Sequence, residues 1–396
     1  MNVGLPWQGQ AGLDTSTLPT AAVRHDPARV RDLPDAQVPR PLRSLPVAGA
    51  DGRATTVGEI LDSSSTDAWL VLHGGSVAAE QYRPGARPDD RRPVMSISKT
   101  VVGSVAGVLL ARGVLREDLP VSGWIPELAG AGYGSATVRD LLDMRSGVRF
   151  REDYTDPASH IRAMDAAIAR GPGLYAYLAG LEADRPHGGP FEYRSSETDV
   201  LAWACERAAG APVAALVSEL VWKPIGAEHD AAFATDVVGT AIADGGLLAT
   251  ARDLARFGLL LLAGGAVEGR QVVPLEFLAG VWAVTPDLRG AFAASAAGPF
   301  LPGGWYRNQC WVMPGPHGDV LLGLGIHGQL LRVDPATRTV MVKLSSWRAP
   351  QDPYRLHDTL RACDAVASAL SGRLGRSGPR FAPGAPEPGG GSVAGR

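Results

Sequence analysis

The stretch Ser96-Ile97-Ser98-Lys99 heads a run, residues 101–110, whose apolar side chains recur at helical spacing before Gly113, a plausible stop. A serine and a lysine three apart on a helix share one face about a turn apart, close enough for proton transfer. Lysine is scarce here. Only Lys99, Lys223 and Lys343 occur among 38 basic residues, so arginine generally supplies the positive charge, and neither of the other lysines has a serine three residues earlier. Unlike arginine, an ammonium in a partly dry site can shed its proton and act as a base, which a serine nucleophile requires. A first-turn serine also receives the positive end of the helix dipole and free backbone N–H groups. Taken alone, the tetrapeptide recurs by chance and Ser96 reads more readily as only an N-cap.

A Ser/Lys pair needs a third group to carry protons to the leaving atom. Three Tyr-x-Ser/Asn sets compete: Tyr133-Gly134-Ser135, Tyr193-Arg194-Ser195 and Tyr306-Arg307-Asn308. Tyr193 is preferred, because it follows the Gly188-Gly189-Pro190 loop and immediately precedes an amphipathic helix able to hold it. Tyr133, in a glycine-rich turn, and Tyr306, at the start of a strand region, read equally well as surface aromatics.

The chain of 396 residues is 45% hydrophobic and 20% charged, the composition of a globular protein able to bury a large core. Its net charge of −3 leaves no footprint for nucleic acid or an anionic membrane, so a small molecule is the expected partner. Arg-rich residues 87–92 lack interleaved aromatics and read as a solvated loop. No apolar run has the length of a membrane span, and the N-terminus has no basic stretch followed by an apolar one. Cys205, Cys310 and Cys363 are far apart and odd in number, which argues for buried thiols in a reducing cytoplasm and against disulfides or zinc. Glu152, Asp153 and Asp156 form a carboxylate group without histidine spacing, so a solvated loop is expected there and no metal or other cofactor.

Residues 1–50 are rich in Pro, Asp and Arg and are expected to wrap the surface. Residues 376–396 are too rich in Pro and Gly to offset ordering and are expected to be disordered. The domain between, 51–375, begins with strands at 69–72 and 77–82 around His73-Gly74-Gly75-Ser76, read as a hairpin. A mostly helical region follows at about 126–270, with helices at 158–170, 196–209 and 250–262. The last third predicts strands at 309–312, 320–324, 329–333 and 340–344, then a helix over 354–370. Strands near both ends with a helical insertion imply an α/β (α+β) fold: one antiparallel sheet flanked by helices, with the cleft beside the helical part.

Four motifs in this order, Ser96-x-x-Lys99, Tyr193-x-Ser195, the segment from Gly245-Gly246 to Asp253-Leu254, and Gly323-Leu324-Gly325-Ile326-His327-Gly328, resemble the serine β-lactamase and penicillin-binding superfamily, class C branch, over roughly residues 55–370. Within that branch, Arg151 to His160 and Gly325 to Gln329 are similar to the nylon-oligomer amidases, which have a carboxylesterase side activity. The resemblance implies a β-lactamase-like fold and a cofactor-free serine hydrolase for linear amides and carboxylic esters, and it allows a homodimer. It implies Ser96 as the acylated nucleophile, with Lys99, neutral in the free site, and Tyr193 as base and proton relay. The N–H groups of Ser96 and Ile326 would form the oxyanion hole. Tyr154 would close over the scissile amide, Asp165 would meet a substrate ammonium, and Ser195 and Asp244 would line the cleft. Where β-lactamases carry Lys-Thr-Gly, this chain has Gly323-Leu324-Gly325, so the β-lactam anchor is missing. His327 stands near that lysine's place and is open to two readings, a substrate contact or a histidine satisfied within the strand edge. A carboxylesterase with little amidase activity and a non-turnover sensor with an acylatable serine are the alternatives.

Overall fold

The computed structural model describes residues 18–36 and 41–371. Its main sheet is antiparallel and seven-stranded. In chain order the strands are β1 (Thr66–His73), β2 (Ser76–Tyr82), β3 (Trp305–Arg307), β4 (Cys310–Gly315), β5 (Gly318–Gly325), β6 (Gln329–Asp334) and β7 (Thr339–Ser345). They lie side by side as β3-β4-β5-β6-β7-β1-β2, so the two ends of the domain meet where β7 pairs with β1, with Val342 opposite Leu70 and Lys343 opposite Trp69. The β1–β2 turn is Gly74-Gly75, both at positive φ (59° and 93°), as a type I′ hairpin turn demands.

Alternate side chains of these strands enter two separate cores because both faces are covered. Leu70, Leu72, Leu331, Val340 and Val342 point to one side, where they join Val101, Val105, Leu254 and Phe257. Trp69, Val71, Leu322, Leu330 and Met341 point to the other, against Ile60, Leu61, Leu360 and Val366. The first side carries α1 (Ile97–Ala111), α3 (Ser195–Ala209) and α4 (Ala251–Leu262); α2 (His160–Arg170) belongs to the inserted helical region, and α5 (Pro353–Ser371) covers the second side. Gly258 lets α4 approach the sheet, since a Cβ there would stand 2.4 Å from Val340 Cγ1. Helix α1 is buried from Ile97 to Leu109, and Gly113 follows its end at φ 68°. An all-round apolar helix belongs in the middle of a protein.

A second sheet, of short strands, was not expected from the sequence. Thr20–Val23, Ala231–Ala234, Leu247–Ala249 and Arg92–Pro93 pair in that order. Two of these lie within the stretch expected to be helical; alanine-rich strands of three or four residues show no alternation to read. The N-terminal segment thus contributes to the interior, where Val23, Leu33, Leu42 and Val47 are buried. The Pro/Gly-rich stretch 376–396 lies outside the described residues. Cys205, Cys310 and Cys363 are buried free thiols. Among the described residues no single helix is long and apolar enough to cross a membrane.

Candidate active site

The small sheet sets the entry to α1. Pro93 pairs with Leu248, Val94 N–H donates to Leu247 O at 2.9 Å, and Ser98 Oγ accepts from Leu247 N–H at 3.2 Å. Met95, between these anchors, is held at φ 51°, a left-handed conformation unusual for a side chain of its size. Ser96 then occupies the N-cap position, but its side chain makes no capping bond. Its Oγ accepts instead from Lys99 Nζ at 2.9 Å. The capping reading of Ser96 is therefore not what the side chain does.

Lys99 is 1% exposed. Its Nζ also donates to Ser195 Oγ (3.0 Å) and the Asp244 carbonyl (2.8 Å), so the three protons of an ammonium have three acceptors. Burial works against the charged form, but the Tyr193 oxygen and the carboxylates of Asp244, Glu152 and Asp199 outweigh it and hold the lysine above its ordinary pKa. This direction favours the ammonium, whereas a neutral amine in the free site was expected from sequence. The reason is the number of acidic groups that distant segments bring around it.

The Tyr193 ring lies beside the pair, its centroid 5.1 Å from Lys99 Nζ, and Ser96 and Lys99 both act on its hydroxyl to lower its pKa. Its ring stacks on Trp311 (centroids 4.9 Å apart) and meets Tyr306 edge-on at 5.9 Å. The next residue, Arg194, is buried and paired with buried Glu197 at 3.1 Å, which fixes the chain as it enters α3. Burial raises the Tyr193 pKa, Lys99 opposes that, and the balance stays above the ordinary value, so the phenol is protonated at rest. The competing tyrosines are not surface aromatics. Tyr133 is fully buried with its hydroxyl on Ser196 Oγ (2.7 Å), and Tyr306 is 2% exposed.

Two acidic residues that the sequence reading did not place at the site join it, and one of them, Glu152, was expected in a solvated loop. Glu152 turns inward: Oε2 accepts from Ser195 N–H (2.6 Å), and Oε1 accepts from Ser195 Oγ (2.9 Å) and the Tyr154 hydroxyl (2.7 Å). Only Asp153 and Asp156 behave as the loop carboxylates expected there, bonding to nearby backbone N–H groups. Asp199, on α3, accepts from the backbone N–H of Ala243 and Asp244 (2.9 and 3.0 Å) and so holds the backbone at Asp244, the residue whose carbonyl accepts from Lys99. Burial, reinforced by Asp244, pushes Asp199 well above the usual carboxylate range. Neither residue has a local motif; a tyrosine two residues after Glu152 was the only nearby signal. Among the described residues no cluster of His, Cys, Asp or Glu is arranged to hold a metal ion.

Two spaces meet at Ser96. A narrow slot of about 20 Å³ runs past Tyr154, Met164, Asp165, Ile242 and Asp244. A wider groove of about 400 Å³ is lined by Tyr193, Phe300, Trp311, Leu324 and Trp347 among others. Ser96 and Ile326 border both. The backbone reaches Ile326 at the end of β5, where Gly325 packs against Met95; a Cβ on Gly325 would lie 2.8 Å from Met95 Cβ and 2.9 Å from the Val94 carbonyl. Asp165 is 2% exposed and paired with Arg162 at 3.1 Å. Burial nevertheless pushes its carboxyl up to about 7. His327 lines neither space. It is buried at φ 62°, its Nδ1 bonds to the Trp347 carbonyl at 2.7 Å, and burial lowers its pKa, so it acts as a neutral brace of the turn.

The chain is similar to several known proteins. The family described as Beta-lactamase matches residues 54–365. A 6-aminohexanoate-dimer hydrolase from Paenarthrobacter ureafaciens is 38% identical over 367 residues, 88% of this chain and 89% of that protein. Esterase EstB from Burkholderia gladioli is 27% identical over 240 residues, 54% of each. A solved Bacillus anthracis structure, provisionally described as a 6-aminohexanoate-dimer hydrolase, superposes with a TM-score of 0.79 at 28% identity, covering 89% of this chain and 91% of that one. A family VIII carboxylesterase structure shares the fold at a TM-score of 0.60 and 16% identity. With the family match spanning most of the domain and a relative of this identity along nearly the whole length, this chain belongs to the Beta-lactamase family.

Proposed function

We propose that the protein is a serine hydrolase that cleaves linear amides with a terminal ammonium, and carboxylic esters, through an acyl-enzyme on Ser96. The observation that carries this reading is Ser96 Oγ, hydrogen-bonded to Lys99 Nζ at 2.9 Å, standing where a narrow acidic slot and a wide apolar groove meet.

With Lys99 charged, the serine proton goes to Tyr193. As Oγ attacks the carbonyl carbon, Tyr193 accepts the Ser96 proton while passing its own toward the leaving nitrogen or oxygen, so the phenol returns to neutrality. The Lys99 ammonium steadies the negative charge that gathers on these oxygens. The carbonyl oxygen is received by the backbone N–H groups of Ser96 and Ile326. Water then enters, gives a proton to Tyr193, and Tyr193 returns one to Ser96 as the acid departs. Ser195 and Glu152 keep Lys99 in place, and Tyr154 is set to reach the scissile N–H. Asp165 receives the ammonium end in the slot. The relatives named for 6-aminohexanoate-dimer hydrolysis support the amide part of this reading.

The groove's aromatic and aliphatic walls also suit a neutral ester, which keeps a carboxylesterase with weak amidase activity as the second reading. Assaying 6-aminohexanoate dimer beside a short-chain p-nitrophenyl ester separates them. Turnover of both is expected. Ester cleavage alone favours the second reading, and turnover of neither contradicts both.

A further inference from the structure

The wide groove beside Ser96 is walled by rings: Phe191, Tyr193, Phe300, Trp311 and Trp347 line it. Some of them are locked together. Trp311 stacks on Tyr193, and Phe191 meets Trp311 edge-on with centroids 6.0 Å apart. Interlocked rings offer a flat apolar surface that loses little freedom when a ligand settles on it. Phe300, on the wall, and Tyr354, which follows the wall residue Pro353, are the two exposed aromatic side chains among the described residues. Exposed rings gathered at one mouth mark a binding site for an apolar group. The volume of about 400 Å³ is enough for a group well beyond a single ring.

The same walls carry ionisable groups of one sign. Glu152, Glu192 and Asp352 line the groove, and among the described residues no Lys, Arg or His does. The arginines that pair with Glu192 (Arg185 and Arg194) and with Asp352 (Arg355) are not wall residues. The start of α5 is not open to an anion either, since Pro353 has no N–H and Asp352 Oδ1 accepts from Arg355 N–H at 3.1 Å. A carboxylate entering this space would lose water, gain no cationic side chain and stand among acidic ones. An uncharged group avoids that cost.

Resting on the hydrolase reading above, we propose that this groove is the leaving-group site and that it selects uncharged, aryl-bearing amines and alcohols against carboxylate-bearing ones. Glu192 and Phe300 are then specificity-determining residues, the first by charge and the second by its ring.

The test holds the acyl group constant as 6-aminohexanoyl and varies the amine among benzylamine, 4-carbamoylbenzylamine and 4-carboxybenzylamine. The matching benzyl esters are run in parallel, so a protein without amidase activity is tested equally. Carbamoyl and carboxylate groups are nearly the same size, and the methylene insulates the reacting atom from both. In the wild-type protein kcat/KM should be at least about tenfold lower for the carboxylate than for the carbamoyl compound, a gap that Glu192→Gln narrows several-fold. Phe300→Ala, at an exposed position, should lower kcat/KM for the benzyl compounds about three- to tenfold and leave the methylamide and methyl ester within about twofold. Equal rates on the carbamoyl and carboxylate compounds would overturn the charge selection while leaving the hydrolase reading intact. A gap unchanged in Glu192→Gln would overturn the role of Glu192. Equal losses on benzyl and methyl compounds in Phe300→Ala would overturn the placement of the ring. Turnover of none of these amides and esters would instead contradict the hydrolase reading itself.

Discussion

Asp165 needs its charge to receive an ammonium, yet burial pushes its carboxyl up to about 7. The ionised form is therefore lost as pH falls through that value. KM for an ammonium-bearing substrate should fall as pH rises from about 6 to 8, a limb that Asp165→Asn removes and that a neutral p-nitrophenyl ester lacks; parallel profiles for both substrates would count against this role. Tyr154 gives a second residue-scale prediction. Its hydroxyl now donates to Glu152 at 2.7 Å, and it borders the slot beside Ser96. If it meets the amide N–H during catalysis, Tyr154→Phe should lower amide hydrolysis roughly 10- to 100-fold and leave ester hydrolysis within a few-fold, as follows from losing one transition-state hydrogen bond. Equal losses would favour the esterase reading. Ser96, Lys99 and Tyr193 were legible because each carries a local signal: a three-residue spacing, a rare residue type, a tyrosine just before a helix. Glu152 was not, since its partner Ser195 lies 43 positions away. The acidic surroundings of Lys99 were not legible for the same reason, because a pKa depends on neighbours that only folding assembles.

At the scale of elements, the site depends on how closely β5 approaches the start of α1. Gly325 has φ −126°, a conformation open to any residue, so its glycine is needed for space and not for backbone freedom. A Cβ would press on the Val94 carbonyl and Met95 Cβ, neither of which is a flexible side-chain end. Gly325→Ala should push Ile326 away from Ser96 and lower kcat about 10²-fold on amide and ester alike, the size of effect expected when an oxyanion donor is misplaced. A wild-type kcat with only a lowered melting temperature would show that Ile326 is not such a donor. The elements themselves were read from sequence with varying success. The hairpin at Gly74-Gly75, helix α1, the four late strands β4–β7 and the last helix followed from turn chemistry and periodicity, with ends shifted by a few residues. The short strands Ala231–Ala234 and Leu247–Ala249 escaped because alanine and leucine in runs of three or four carry neither period, although they fix Val94 and hence the nucleophile.

For the whole molecule, the arrangement of strands near both ends around a helical insertion was legible because each end carries its own apolar runs, and only one another's edges can complete the sheet. The register of β7 on β1 then sets two cores back to back, and α1 lies buried in one of them with its first turn open to the cleft. What could not be read was the packing of distant acidic groups around Lys99, which favours its charged form and underlies the route proposed for the serine proton. All of this converges on one covalent event at Ser96. The most direct test is the intact mass of the protein after treatment with a fluorophosphonate, with peptide mapping of the site. A single phosphonyl adduct on Ser96, absent from Ser96→Ala together with nearly all hydrolysis, is the predicted result. Labelling that survives Ser96→Ala, or near-wild-type turnover by that variant, would contradict the account.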